Sequence, residues 1–256
     1  MKKLIAIFFI ILPFVSKGVN YSIGDTLYVV AINGLTIRSK ANLKGEKIGV
    51  LKTYDKVCII DTSNFEIQHD TIFGFRGNWV KIHTTEGLTG YVFDAFLSTL
   101  PPARSLLENG KTVPPSSFEY SQWLPVLLRQ YAIDNFTQTG CMFEWSNRVD
   151  GTSAHEMRIQ NFREGHVLIE HQYWEGTSTE LSLKNVRISE VYYLIHQFLK
   201  DAPEEIFILN DHYLKNPKSY RVEGRCAGEF IGLGCGIEVY KDSENAYSIK
   251  FNFPCC

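Results

Sequence analysis

From Gly34 to Leu97 the chain is a succession of short apolar alternations broken by glycine, aspartate and asparagine. Leu35 and Ile37 alternate with Thr36 and Arg38, which puts the two apolar residues on one face of a strand. Ile48 with Val50, Val57 with Ile59, and Val80 with Ile82 repeat the pattern, and Val92 points the same way within Gly90 to Phe93. A further strand is expected just before, over Asp25 to Val30. Short strands separated by turn residues such as Lys44-Gly45-Glu46 predict a small antiparallel barrel. The same alternation leaves Trp79, Tyr91 and Phe93 on the face opposite the inferred core. Two readings follow. Either the three rings form an exposed cluster where something binds, or they pack under the long segment Ser63 to Gly77 or against a second domain.

The ordered series Leu35-Thr36-Ile37-Arg38-Ser39, Ile48-Gly49-Val50-Leu51, Trp79-Val80-Lys81-Ile82 and Gly90-Tyr91-Val92, followed by Phe96-Leu97, resembles the bacterial Src-homology-3-like (SH3b) domain. The resemblance spans residues 21–100, about a third of the chain. It implies a small β-barrel in an exported or envelope protein, binding cell-wall peptides or other ligands and often joined to a catalytic domain. The sequence departs from the family pattern twice: the turn before Trp79 is enlarged to Thr62 through Gly77, and Tyr91 stands where a second tryptophan is common. Ligand contacts are expected on Arg38, Tyr54, Trp79, Tyr91 and Phe93.

Compartment follows from the first residues. Met1-Lys2-Lys3 is basic, Leu4 to Val15 is almost wholly apolar, and Ser16-Lys17-Gly18 is the first small or polar break. That order predicts a secretory signal peptide over 1–18, too short for a confident membrane span, with an uncleaved anchor as its rival. Export to the periplasm or beyond follows, with membrane contact only through that segment. A net charge of −2 with interspersed signs argues against nucleic acid and against polybasic membrane attachment. Six cysteines in an exported chain make disulfides plausible. The candidates are Cys226 or Cys235 with Cys255 or Cys256, a bridge that would tie down a terminus; buried free thiols are the alternative.

Pro101-Pro102 and Pro114-Pro115-Ser116-Ser117 bracket a polar stretch, read as a linker over 101–118 between a barrel at 19–100 and a second domain at 119–256. In the latter a helix is expected near Ser121 to Tyr131, capped by Ser121, with Pro125 in its first turn and an apolar stripe of Trp123, Val126, Leu127 and Tyr131. Strand-like runs follow at Cys141 to Trp145, around Met157 and Ile159, from His166 to Trp174, and at Leu181 and Leu183. Turn pairs such as Glu164-Gly165 separate them. A second helix is expected over Ser189 to Lys200, then strands at Glu205 to Leu209, Phe230 to Tyr240 and Tyr247 to Phe253. The expected class is mainly β: a small barrel, then an α+β domain with an antiparallel sheet packed by helices.

No catalytic constellation emerges. Cys141 opens a strand-like run instead of a helix, which a lowered thiol pKa would favour. His166 and His171 are five apart on a strand and diverge, so no metal site is expected. There is no Gly-x-Ser-x-Gly elbow. The glycine-rich run Gly224 to Gly236 lacks a phosphate-binding lysine and reads as a kinked hairpin, so no cofactor is expected. The leading expectation is a non-enzymatic envelope protein whose partner is a cell-wall peptide or envelope protein. The alternatives are a cell-wall hydrolase targeted by the barrel, and an inhibitor or immunity-type protein.

Overall fold

The computed structural model describes residues 20–63, 69–103, 117–149, 153–173, 176–200, 236–243 and 246–254. The expected signal segment, the four candidate disulfide cysteines, most of the linker, the Glu205 to Leu209 strand and nearly all of the glycine-rich run lie outside them. Among the described residues the fold is mainly β, in two antiparallel sheets.

The first sheet contains β1 (Thr26–Val29), β2 (Leu35–Arg38), β3 (Lys47–Leu51), β4 (Lys56–Asp61), β5 (His69–Ile72), β6 (Phe75–Thr84), β7 (Thr89–Phe93) and β8 (Leu97–Ser98). They run in the order β3-β2-β7-β6-β4-β1-β8, with β5 added on β6. The expected closed barrel is not formed. The sheet is open, ending in β3 on one side and β8 on the other, and β8 is two residues long and pairs only with β1.

Side-chain alternation packs Leu27, Val29, Leu35, Ile37, Val57, Ile59, Val80, Ile82 and Val92 into one buried cluster. In β3 the expectation fails. Ile48 and Val50 are exposed, and Gly49 and Leu51 face inward instead. A Cβ on Gly49 would stand 2.7 Å from Leu88 and 3.4 Å from Ile37. The missing side chain thus lets β3 close down on its neighbours, and its two apolar branches turn to solvent.

The second sheet contains β9 (Gln138–Val149), β10 (Ser153–Phe162), β11 (Val167–Tyr173), β12 (Gly176–Lys184), β13 (Gly236–Ser243) and β14 (Ala246–Pro254). Its order is β13-β14-β12-β11-β10-β9, antiparallel throughout. One row of partners, Leu168, Leu181, Ile249 and Val239, crosses four strands and is buried. These side chains cluster with residues of α1 (Ser117–Asn135) and α2 (Ile188–Leu199).

Helix α1 starts four residues before the expected cap, so Pro125 lies in its interior, where it removes one backbone donor. The buried stripe is Leu124, Leu127, Leu128, Tyr131 and Ala132, whereas Val126, expected inside, is exposed. Leu100 and Ala103 join the same cluster, and the strap they sit on is pinned at both ends. Tyr131 donates its hydroxyl to the Pro101 carbonyl (2.9 Å), and the Ala103 amide donates to Gln197 Oε1 (2.6 Å).

Candidate functional site

A groove of about 680 Å³ opens on the first sheet, between the β5–β6 hairpin and α2. Its floor is aromatic. Trp79 and Phe93 are register partners on β6 and β7, and their rings meet at 5.7 Å. Phe93 contacts Phe96 at 5.6 Å, and Phe96 contacts Tyr193 of α2 at 6.1 Å. Phe75 bridges to Tyr192 and Tyr193 at 5.3 and 5.8 Å. The tilted and edge-on geometry of these contacts is what ring quadrupoles favour.

Trp79 and Phe93 are therefore not the exposed cluster that strand alternation allowed. They are 2% and 1% exposed, because the β5–β6 hairpin, the 3-10 turn Asp94–Phe96 and α2 form a second layer over that face. The Trp79 indole N–H donates to the Asp70 carboxylate on β5, inside the enlarged segment, so the packing alternative describes these two rings.

The lip of the groove is the hairpin turn Phe73-Gly74. Phe73 is 88% exposed and has φ +51°, followed by Gly74 at +84°. Two successive positive φ values match the right-handed twist of a two-residue hairpin. A bulky side chain in the left-handed region is nonetheless costly. The Phe73 ring stands in solvent with its centroid 6.2 Å from that of Phe96.

Among the described residues, Arg38 is the one charged side chain lining the groove, and no carboxylate lines it. Its Nη1 donates to the Gly45 carbonyl at 2.8 Å, which fixes the guanidinium at the rim. Arg38, Trp79 and Phe93 are thus brought together, and the other two expected contacts are not. Tyr91 is half-buried on the sheet, paired with Arg38 at a single bridge and with Lys81 Nζ 5.9 Å from its ring. Tyr54 sits in the β3–β4 turn at φ +74°. Neither Tyr91 nor Tyr54 lines the groove. Phe73, Phe75, Phe96 and Tyr193 were not singled out for a ligand. The Phe-Gly-Phe signature at 73–75 and the tyrosine pair at 192–193 were the available signals.

The α2 wall is set in place by a buried polar junction. Glu190, 1% exposed, accepts from the Thr99 amide (2.7 Å), Thr99 Oγ1 (3.0 Å), Ser98 Oγ (3.1 Å), Asn20 Nδ2 (2.8 Å) and the Arg187 amide (2.9 Å). The last of these is half of a capping box at the start of α2. Arg187 reaches Asp94 (Nη1 to Oδ2, 3.3 Å), Glu190 (Nε to Oε2, 3.4 Å) and the Leu97 carbonyl (2.7 Å). Burial alone would lower the Arg187 pKa, and Glu190 and Asp94 more than offset it, so the guanidinium is held charged. Tyr21 donates to Asp94 Oδ2 at 2.6 Å. Burial, then the Asp94 charge, push its phenol well above the usual range and keep it protonated as a donor. Burial likewise raises the Tyr193 phenol.

Elsewhere Cys58 and Cys141 are free thiols, and Cys141 lies exposed in β9 with no helix behind it. His166 is buried against Phe136 (4.3 Å), its Nδ1 accepts from the Lys184 amide at 3.1 Å, and desolvation lowers its pKa. It is a packed neutral imidazole. Among the described residues no group of three or more His, Cys, Asp or Glu could hold a metal ion, and no helix is long and apolar enough to cross a membrane.

An open antiparallel sheet with an aromatic groove on one face is the architecture of this small β module. Residues 33–98 match the bacterial SH3 domain, and the chain carries that domain there. The match covers about a quarter of the sequence and includes Arg38, Trp79 and Phe93. No curated protein and no solved structure matches the chain.

Proposed function

We propose that this is an exported, non-enzymatic bacterial envelope protein. Its SH3 domain, within residues 19–100, binds a cell-wall peptide or an extended segment of an envelope protein in the aromatic groove. Residues 119–256 form an α+β domain joined to it through 101–118, and α2 of that domain supplies one wall of the site.

The observation that carries this reading is the pairing of an aromatic floor and lip with, among the described residues, one rim cation and no carboxylate. Such a site suits a short peptide with apolar side chains and a carboxylate. The rings take the apolar stems, and Arg38 takes the carboxylate through charge-assisted hydrogen bonds. The non-enzymatic reading draws support from the cleft between α1 and β10–β12. Of the two acids that line it, Glu170 is engaged with Arg129 (3.6 Å), and its other cation, Arg158, is engaged with Glu144 of β9 (3.3 Å), which gives these charges a structural role.

The test is retention of the mature protein, from about Val19 onward, on purified peptidoglycan, with Phe73→Asn alongside. Asparagine before glycine is well suited to this turn, so the variant is expected to be more stable by about 1 kcal/mol. Its retention is expected to fall roughly tenfold, the loss that removing one half-buried aromatic contact produces. Undiminished retention of the variant, or no retention of the wild type, would remove wall binding through this groove.

A further inference from the structure

The second sheet ends in β9, and among the described residues no strand pairs with its outer side. Residues 141–146 are all exposed, with Met142 at 41%, Phe143 at 53% and Trp145 at 46%. An edge of this kind is normally blunted by lysine, proline or shortness, since its free N–H and C=O groups recruit another strand. Here β9 is 12 residues long and contains neither lysine nor proline. We propose that β9 is the interface of a homodimer, in which two copies pair their β9 strands antiparallel about a two-fold axis at Ser146.

The register follows from charge. Glu144 and Arg148 are the only charged residues of β9, and they lie two positions either side of Ser146. An axis at residue 146 is the one two-fold register that sets residue 144 of each copy opposite residue 148 of the other. An axis at 144 or at 148 would set like charges face to face, which is destabilising. The same register places Phe143 opposite Val149 and the small Ser146 opposite itself. The two Trp145 become diagonal neighbours, within reach of aromatic side chains. Glu144 remains 64% exposed in its ion pair with Arg158, so its carboxylate is open to a second cation. A two-fold pair is closed, whereas pairing β9 of one copy with β13 of the next would grow without limit.

Analytical ultracentrifugation of the mature chain over a wide concentration range tests this. The wild type is expected to be dimeric. Glu144→Arg, checked for folding by circular dichroism, should weaken association at least tenfold, and adding Arg148→Glu should restore it. Independently, Ser146→Cys should give a covalent dimer on mild oxidation, well above the wild-type background. In this register the two Cys141 stand ten positions apart along the strand, roughly 33 Å, too far to bridge. A monomer at all concentrations, association untouched by Glu144→Arg, open-ended oligomers, or no Ser146→Cys cross-link would each overturn the proposal.

Discussion

Glu190→Ala is expected to destabilise the folded chain by about 3–5 kcal/mol, the cost of removing one partner from a buried ion pair. The carboxylate accepts from three segments at once: Asn20 near the start of the described chain, Ser98 and Thr99 at the end of the first sheet, and Arg187 at the start of α2. Its loss leaves the Thr99 and Arg187 amides without that acceptor and, among the described residues, leaves Asp94 as the one carboxylate paired with the Arg187 guanidinium. Each buried donor so stranded costs about 1–3 kcal/mol. Denaturant unfolding would show a lower midpoint, and thermal unfolding a drop on the order of 10 °C for a chain of this size. Glu190→Gln keeps an acceptor and loses the charge, so a smaller loss is expected. Equal stability of Glu190→Ala and wild type would mean that the junction does not hold α2 against the first sheet.

Trp79→Ala is expected to cost about 3–5 kcal/mol, as large-to-small changes of a fully buried aromatic do. The indole is 2% exposed, packs on Phe93 at 5.7 Å and donates to Asp70. Truncation opens a cavity under the β5–β6 hairpin and strands that carboxylate. Trp79→Phe keeps most of the volume and removes the donor, for a loss of about 1 kcal/mol. The ordering Ala, then Phe, then wild type in urea midpoints checks the account. A Trp79→Ala variant as stable as the wild type would contradict the second layer over that face. Loss of ligand binding in Trp79→Ala would report on the fold, so Phe73, at 88% exposure, is the residue that isolates the contact.

The alternation Leu35-Ile37, Val57-Ile59 and Val80-Ile82 carried the strands and their core face, because a half-buried strand has a period of two. The same rule placed Ile48 and Val50 inside. It weighs apolar side chains and cannot register that Gly49, having none, is the residue pressed against Ile37 and Leu88. Gly90 plays a similar part in β7, where a Cβ would collide with Ile37.

The site was half legible. Arg38, Trp79 and Phe93 sit on strands whose direction the sequence discloses. The other half comes from remote segments, the Phe73 turn and Tyr193 of α2, and strand periodicity carries no information about what covers a second face. Nor does it distinguish an exposed ring from one under a lid: Trp79 and Phe93 have the alternation of surface residues and the burial of a core. Pro125 misled for a related reason. Proline is commonest in a first helical turn, but packing of Leu124, Leu127 and Leu128 sustains α1 through it.

The most direct test of the groove as the binding site is a nuclear magnetic resonance titration of the mature protein with soluble cell-wall stem peptides. The account predicts the largest shifts at the Phe73-Gly74 turn, the Trp79 indole N–H, the Arg38 guanidinium and the Tyr193 ring. Shifts confined to the cleft between α1 and β10–β12, or none at saturating peptide, would contradict it.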